Sequence, residues 1–422
     1  ESWFLLQISW SLGPEARIGR YPGAIRNRQR QRTTPFLYNR QIVYKMMHAQ
    51  VWMAVLFLRT ILDTSAYPRE VSHQPTIFSQ RGADAATVLE CVDDDLLLFD
   101  GIQFEFALVS DLDLKSRDPQ AFLWRSLMKR GTLISSGKRD RQTYRIKWGR
   151  TLTLETETAK KNRSMELSEL VMFGNRLFAM CDYTGLIFKI DSAFPPEGSN
   201  PKVYQRWAIA DGNGEKVKPC KLEWATVKDD VLIVGSIGKE WTDHDGNFIH
   251  SDSEWVKAID LRGKVHNYDW GRVYAALKRA ANVASPGYLW HEAVHFCQRS
   301  RKWYILPRKR SLETPYDPVT DERMGTNILL TCSEDFSHIT LQTIGPLQLD
   351  RGFTALRRIP GTEDHFFALK VLEVGDETRS WITAFDSHGT MLLDRSQENV
   401  DDDGFLLITD PSGVKFEGLE FV

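Results

Sequence analysis

Residues 221–227 read KLEWATV, in which an oxygen-bearing side chain stands directly before an apolar strand. Four other segments share this pattern: MELSELV at 165–171, LWHEAV at 289–294, GFTAL at 352–356 and KFEGL at 415–419. Taking Ser168, Glu223, Glu292, Thr354 and Glu417 as markers, successive units lie 55, 69, 62 and 63 residues apart. A period of about 60 residues suits one four-stranded propeller blade with its loops.

The chain from about residue 100 onward reads as short strands separated by turns. Runs rich in aromatic and branched residues, such as 104–109, 186–190 and 381–385, alternate with turn signals such as 211–214. Only 274–281 is predicted to be helical. This pattern favours an all-β fold, and the repeat favours a five-bladed β-propeller with a central metal-binding tunnel. The alternative is that the repeat is a coincidence among many strands, because its units share little beyond one position.

The last repeat unit is too short to form a blade by itself. We therefore expect N- and C-terminal strands of the domain to complete one blade together. Such pairing closes the ring and removes exposed strand edges.

The net charge of -2 hides an asymmetry along the chain. Residues 1–45 carry eight Lys or Arg and two acidic residues, a balance of +6 that leaves -8 for the other 377 residues. The 42% hydrophobic content excludes wholesale disorder. The acidic remainder argues against a nucleic acid polymer as partner, because such binding depends on Lys and Arg. No stretch approaches the roughly 18 uncharged apolar residues that span a bilayer.

The start of the chain has the order of a secretory signal. A basic residue, the apolar run at 51–58 and small residues at 64–66 follow one another. We therefore expect a non-structural leader at 1–45, a signal peptide at 46–66, an N-terminal segment at 67–103 and the propeller at 104–422. The alternative for the apolar run is a buried strand or an amphipathic helix.

Features of the remaining sequence are compatible with secretion. The five cysteines form no CxxC pair and allow at most two intrachain bridges. One glycosylation sequon is present at Asn162. We expect a secreted, extracellular glycoprotein, with retention in the secretory pathway as the alternative.

The markers also predict chemistry, because the first strand of each propeller blade lines the central channel. Three carboxylates there (Glu223, Glu292 and Glu417) would repel one another strongly unless a cation lay between them. Oxygen-only ligands, with backbone carbonyls at Ser168 and Thr354, suit calcium before magnesium. The alternative is that the glutamates are solvated, or pair with cations such as Lys221 and Arg357.

Long strings in this sequence resemble the calcium-activated nucleotidases, a family that includes the salivary apyrases of bed bugs and sand flies. The matching strings, in order, are SDLD at 110–113, MELSEL at 165–170, DYTG at 182–185, KLEWATVKDD at 221–230, GKEWT at 238–242, PGYLWHEA at 286–293, LPRK at 306–309, DERMGTN at 321–327, PGTEDHFFALK at 360–370 and FEGLEF at 416–421. The resemblance implies a five-bladed propeller that holds Ca²⁺ in its tunnel and hydrolyses nucleoside di- and triphosphates.

The resemblance also implies site residues. The implied calcium contacts are Ser168, Glu169, Glu223, Glu292, Thr354 and Glu417, with Glu169 one methylene longer than the family's frequent Asp. The candidates for orienting or deprotonating water are Asp111, Asp113 and Asp182. The candidate substrate contacts are Arg163, Thr184, Lys221, Lys239, Trp241, Trp255, Arg308 and Lys309. Arginine offers bidentate phosphate binding, and a tryptophan can stack on any base.

The resemblance, together with these residues, implies a calcium-dependent apyrase that acts on ADP, ATP, UDP and GDP, and we expect a monomer or weak homodimer. The arthropod resemblance suggests release into saliva and an anti-platelet role through removal of ADP. A five-bladed glycoside hydrolase would also place carboxylates around a tunnel, and a non-catalytic binding propeller would keep the repeat. These two alternatives remain open at the level of sequence.

Overall fold

The computed structural model describes residues 100–137, 142–243 and 245–422. The predicted leader, the signal peptide and almost all of the 67–103 segment lie outside the described residues. Five four-stranded antiparallel sheets make up the described part. They confirm the predicted all-β class and the five-bladed propeller.

Blade I contains strands from both ends of the described chain. Its order from the axis outward is β22 (Lys415–Phe421), β1 (Gln103–Asp111), β2 (Trp124–Ser136) and β3 (Thr143–Thr156). The pairing of β22 with β1 is antiparallel along most of both strands. The expected closure of the ring by N- and C-terminal strands is therefore confirmed.

The other four blades each begin with their innermost strand. Blade II contains β4 (Leu167–Phe173), β5 (Arg176–Cys181), β6 (Leu186–Ile190) and β7 (Val203–Ala208). Blade III contains β8 (Trp224–Lys228), β9 (Val231–Gly235), β12 (Trp255–Ile259) and β13 (Val265–Asp269), with a hairpin of β10 (Trp241–Thr242) and β11 (Phe248–His250) inserted after β9. Blade IV contains β14 (Tyr288–Cys297), β15 (Lys302–Ser311), β16 (Ile328–Ser333) and β17 (Ile339–Thr343). Blade V contains β18 (Arg351–Arg358), β19 (His365–Val374), β20 (Glu377–Asp386) and β21 (Leu406–Leu407).

The innermost strands form a closed ring around the axis. Strand β22 packs against β4, β4 against β8, β8 against β14, β14 against β18, and β18 against β22. Residues on these strands therefore face one another across a central tunnel.

Helices are few and short in the described residues. Helix α1 (Gly271–Ala280) links blades III and IV over the segment predicted to be helical. Helix α2 (Pro318–Asp321) is capped at its N-terminus by Asp317, whose side chain accepts hydrogen bonds from the backbone N–H groups of Val319 and Thr320. None of the described helices is long and apolar enough to cross a membrane.

Hydrophobic cores lie between neighbouring blades. Between blades III and IV, Trp224, Trp270, Trp303 and Phe336 pack together. Between blades V and I, Phe106 packs edge-on against Phe367. Such aromatic burial holds each blade against the next and so fixes the width of the tunnel. Four cysteines are buried free thiols: Cys181, Cys220, Cys297 and Cys332.

Candidate functional site

A β-bulge recurs at the marker position of the innermost strands. In β4, β14, β18 and β22 the marker residue is skipped in the pairing with the second strand, because its two neighbours pair with consecutive residues. In blade III the backbone N–H of Glu223 donates to Gly235 O at 2.9 Å, and Gly235 also pairs with Trp224. A bulge leaves one residue unpaired and re-aims its side chain. The fold therefore repeats one local distortion around the tunnel.

The bulges place three buried carboxylates on the innermost strands of three blades, and Arg308 joins two of them. The Arg308 guanidinium contacts Glu292 Oε2 at 2.7 Å and Glu417 Oε1 at 3.0 Å, so blades IV and I meet across the axis. Each of the three glutamates is 2% exposed. Burial raises the pKa of Glu223, Glu292 and Glu417, to about 7 for Glu292. The negative charge of Glu223 also raises the pKa of Glu292, and the charge of Glu292 raises the pKa of Glu417, which favours a bound cation.

The two hydroxyl-bearing markers have unsatisfied polar atoms. Ser168 Oγ and Thr354 Oγ1 are buried and have no hydrogen-bond partner among the described residues. Buried polar atoms are nearly always paired, so an unpaired pair beside three carboxylates indicates a ligand. The donor set contains only oxygen, from carboxylates and the bulged Ser and Thr residues. That chemistry fits a hard cation such as calcium.

A second ring of side chains lies two residues before the markers. Alternation along a strand places residues i and i+2 on one side, which explains the contacts between the two rings. Lys221 Nζ lies 2.7 Å from Glu223, Trp290 Nε1 donates to Glu292 at 2.7 Å, and Lys415 Nζ lies 3.9 Å from Glu417. The members of this ring, in blade order from II to V and then I, are Glu166, Lys221, Trp290, Gly352 and Lys415.

Gly352 explains how Arg308 reaches the tunnel. A Cβ atom on Gly352 would lie 2.2 Å from the Arg308 carbonyl oxygen and 2.6 Å from its Cγ. Blade V therefore has no side chain at this position of the second ring. The backbone carbonyl and the Cγ atom of Arg308, from blade IV, occupy that space instead.

The predicted catalytic aspartates lie beside the second ring. Lys415 Nζ contacts Asp111 at 2.7 Å and Asp113 at 3.1 Å. Acidic oxygens of Asp111, Asp113 and Glu166 lie within 4.8 Å of one another. Lys221 joins Asp182 to Glu223, and Asp182 Oδ1 is buried without a hydrogen-bond partner among the described residues. Asp182 and Glu223 therefore share one ion-pair network around Lys221, whereas Asp111 and Asp113 belong to another network around Lys415.

A cleft of about 240 Å³ opens next to the network around Lys415. Asp111, Asp113, Glu373 and Lys415 contribute to its lining. Burial works against ionisation of Glu373, but the charges of Arg308 and Lys415 outweigh it and lower the pKa of Glu373 to about 2. Arg163 lies at the same end of the tunnel, where it pairs with Glu166 and stacks 4.0 Å from the Tyr183 ring.

Aromatic and basic residues from blades III and IV form a wall beside Glu292. The Lys239 ammonium lies 4.7 Å from the Tyr316 ring and 5.6 Å from the Trp241 ring. The Trp290 ring, which is bound to Glu292, lies 6.1 Å from Tyr316. Burial lowers the pKa of Lys239, although nearby acidic groups act in the opposite direction. This wall offers aromatic faces and positive charge together.

Other predicted contacts have different surroundings. Lys309 Nζ is held by Asp321 at 2.9 Å, and Thr184 Oγ1 accepts a hydrogen bond from the Leu186 N–H at 3.3 Å. Trp255 begins β12, two strands out from β8, where it pairs with Asp269. For these residues a substrate role stays a prediction.

Glu169 faces away from the other predicted metal ligands. Its carboxylate pairs with Arg357 at 3.1 Å and accepts the Leu170 N–H at 2.8 Å. The alternative, in which glutamates pair with Lys221 and Arg357, is thus observed at two positions. Glu223 pairs with Lys221, and Glu169 pairs with Arg357. A metal contact from Glu169 stays a prediction, whereas the carboxylate's observed partner is a guanidinium.

Several residues of the site were missed in the sequence: Glu166, Trp290, Tyr316, Glu373 and Lys415. The sequence held a signal for three of them, because Glu166, Trp290 and Lys415 each stand two residues before a marker. Tyr316 and Glu373 come from a loop and a second strand, for which no repeat position was predicted.

Comparison with known proteins gives one consistent family. A family model for apyrases matches residues 112–422. The chain is 35% identical over 324 residues to soluble calcium-activated nucleotidase 1 of Rattus norvegicus, which covers 76% of this chain and 74% of that protein. It is 34% identical over 325 residues to an apyrase of Cimex lectularius, with 76% and 83% covered. It is 36% identical over 295 residues to an apyrase of Caenorhabditis elegans, with 69% and 80% covered. The chain, with its five-bladed fold and its ring of bulged tunnel residues, therefore belongs to the apyrase family.

Proposed function

We propose that this protein hydrolyses the phosphoanhydride bonds of nucleoside di- and triphosphates, including ADP, ATP, UDP and GDP, with calcium held in the tunnel. The observation that carries the proposal is the position of the buried Glu223, Glu292 and Glu417 at matching bulges on the innermost strands of three blades, with Arg308 joining Glu292 to Glu417. Membership of the apyrase family supports the substrate class, and the name of the rat relative supports calcium.

The residues that would hold calcium are the five markers. Glu223, Glu292 and Glu417 offer carboxylate oxygens, and Ser168 and Thr354 offer oxygens at bulged positions. When bound, calcium neutralises negative charge on phosphate oxygens, which phosphoryl transfer requires. Flexible oxygen coordination of this kind distinguishes calcium from the stricter octahedral demands of magnesium.

The chain's own cations are suited to bind phosphates. Lys221 has a side chain that is 38% exposed, and Arg308 presents a planar guanidinium at the end of the tunnel. Arg163 and Lys415 lie at the same end, around the 240 Å³ cleft. Together they supply positive charge on several sides of a polyphosphate, as positioning of a transferring phosphoryl group demands.

A carboxylate is needed to orient or deprotonate the attacking water. Asp182 is the strongest candidate, because Lys221 binds one of its oxygens and the other has no hydrogen-bond partner among the described residues. Asp111 and Asp113, which line the 240 Å³ cleft, are further candidates. The wall of Lys239, Trp241 and Tyr316 is suited to a stacked base, since stacking tolerates different bases.

The proposal includes secretion through the predicted signal peptide at 46–66. Removal of extracellular ADP would then oppose platelet aggregation in a host, as the arthropod resemblance suggests. A secretion assay with the full chain and with residues 46–66 deleted tests this part separately from enzymatic activity.

One assay tests the enzymatic proposal: phosphate release from ADP, ATP and UDP in calcium, in magnesium and in chelator. We expect release from all three nucleotides in calcium and none in chelator. Absence of release in calcium would refute the nucleotidase function. Equal rates in magnesium would refute the assignment of calcium while leaving nucleotide hydrolysis intact.

A further inference from the structure

Arg308 occupies an unusual position among the tunnel carboxylates. Its Nη1 atom contacts both oxygens of Glu292 at 3.0 and 2.7 Å and Glu417 Oε1 at 3.0 Å. Its Nη2 atom contacts Glu373 at 2.6 Å. All of these partners are carboxylates. The buried Nε atom has no hydrogen-bond partner among the described residues.

Lys221 repeats this arrangement in blade III. Its ammonium bridges Glu223 and Asp182, and it is more exposed than Arg308. Carboxylates raise the pKa of both cations although burial acts against this, so both remain charged. Each of the three tunnel glutamates is therefore in contact with a side-chain cation, Lys221 for Glu223 and Arg308 for Glu292 and Glu417.

A metal ion that binds Glu292 and Glu417 needs the carboxylate oxygens that Arg308 contacts. A guanidinium nitrogen and a divalent cation repel each other strongly at such distances. They therefore compete for the same oxygens. Release of the guanidinium leaves its N–H donors free for another anion. Under the proposed function, that anion is the polyphosphate of a nucleotide.

We infer that Arg308 and Lys221 are exchangeable counter-ions, which calcium displaces from the tunnel glutamates and which then bind the phosphates of the nucleotide. This inference rests on the proposed calcium site and adds the manner in which calcium controls substrate binding. Calcium and polyphosphate then strengthen each other's binding by the same factor, as linkage requires. Glu373, which lines the cleft and contacts the guanidinium, keeps Arg308 close during the exchange.

The sign of a change in calcium affinity tests the inference. In isothermal titration calorimetry of the full chain with calcium chloride alone, we expect Arg308→Met to bind calcium more tightly than the unaltered protein. Removal of a competitor should tighten binding on the order of five- to tenfold, within the range typical of coupling between sites. A residue that merely holds Glu292 in place would give weaker binding instead, because the carboxylates would lose their alignment.

Two further variants keep the test informative. The Lys221 side chain is 38% exposed. Lys221→Met should also bind calcium more tightly than the unaltered protein, and it serves as the test if Arg308→Met fails to fold. Lys370→Met is the matched control, since Lys370 is a buried cation whose side chain contacts Gln348 and two aromatic rings. We expect its calcium affinity to equal that of the unaltered protein.

A second titration measures the coupling itself. With a methylene-bridged ATP analogue present, the unaltered protein should bind calcium about tenfold more tightly, and Arg308→Met should lose most of that gain. Weaker or unchanged calcium binding by both tunnel variants, or an unchanged gain with the analogue, would overturn the exchange. If the unaltered protein binds no calcium, the proposed calcium site fails and the exchange fails with it.

Discussion

Arg308 and Arg357 are two buried arginines of the same tunnel, and both contact carboxylates: three for Arg308 and two for Arg357. Arg357 donates from Nε to Glu420 at 3.1 Å, from Nη1 to the Leu356 carbonyl at 2.8 Å and from Nη2 to the Leu170 carbonyl at 2.5 Å. Its Nη2 also lies 3.1 Å from Glu169. Within the described part of the chain, Arg308 has carboxylate partners alone and one unpaired nitrogen.

The difference separates a structural ion pair from an exchangeable one. Backbone carbonyls cannot leave Arg357 without disturbing a strand, whereas carboxylates can exchange one cation for another. Glu169 is likewise bound by the backbone N–H groups of Leu170 and Ala225 as well as by Arg357. One half of the tunnel is thus held together by its ion pairs, and the other half is suited to bind ligands through them.

The largest expected effect is on activity at the ligand-binding end. Asp182→Asn keeps the size of the side chain but removes the charge that positions water, so we expect kcat to fall by about 10²- to 10⁴-fold. The circular dichroism spectrum should stay unchanged. Asp229→Asn is the matched control, because Asp229 pairs with Arg301 in the turn after β8. An unfolded Asp182→Asn variant would contradict the site assignment, and so would equal losses in both variants.

The second-largest expected effect is on the free energy of unfolding, and it compares Arg308 with Arg357 directly. Arg357→Met leaves Glu169 buried without its partner, which should lower the free energy of unfolding by about 3–5 kcal/mol. Arg308→Met should also destabilise the protein in chelator, but calcium should restore its stability because calcium replaces the lost charge. Urea denaturation in calcium and in chelator measures both. Rescue of Arg357→Met by calcium would remove the distinction between the two halves of the tunnel.

The sequence predicted the positions of the tunnel markers much better than the contacts that these residues make. The repeat located Ser168, Glu223, Glu292, Thr354 and Glu417 on innermost strands, because a residue type at a fixed period reports a shared position in each blade. It did not predict the bulges, at which the Ser168 hydroxyl has no partner among the described residues while the adjacent Glu169 pairs with Arg357. Strict alternation along a strand carries no sign of an inserted residue.

Contacts across blades were also beyond the sequence. Arg308 was a candidate phosphate ligand, but its bridge between Glu292 and Glu417 depends on blades IV, V and I meeting at the axis. The role of Gly352 follows only from the close approach of Arg308. Local spacing cannot encode such approaches, since they depend on how the blades pack.

Gly352→Ala should have a smaller effect that is confined to the ligand-binding half. The added Cβ would lie 2.2 Å from the Arg308 carbonyl oxygen, so strand and guanidinium must shift. We expect a loss of about 1–3 kcal/mol in stability and a loss of about tenfold or more in kcat/KM. At Gly149 in β3 the nearest contact of an added Cβ is 3.3 Å, which makes Gly149→Ala the control. Equal kcat/KM for the two variants would show that the position of Arg308 does not limit catalysis.

The smallest effect concerns Lys370, a buried cation with no carboxylate in hydrogen-bond contact. Its ammonium lies 4.9 and 5.1 Å from the rings of Phe353 and Phe405, and burial lowers its pKa to about 7. The unfolded chain holds this proton up to about pH 10.5, so the stability of the unaltered protein should rise between pH 7 and pH 10.

Replacement of Lys370 should therefore stabilise the protein, in contrast to replacement of Arg357. We expect Lys370→Met to gain about 1 kcal/mol at pH 7, because a buried charge is exchanged for an apolar side chain of similar length. The gain should shrink as the pH rises toward 10, since the lysine of the folded protein is then already neutral. Thermal unfolding of both proteins from pH 7 to 10 measures this difference. A gain that is constant with pH would mean that Lys370 keeps its proton in the folded state, and that aromatic rings stabilise its charge as well as carboxylates stabilise Arg357.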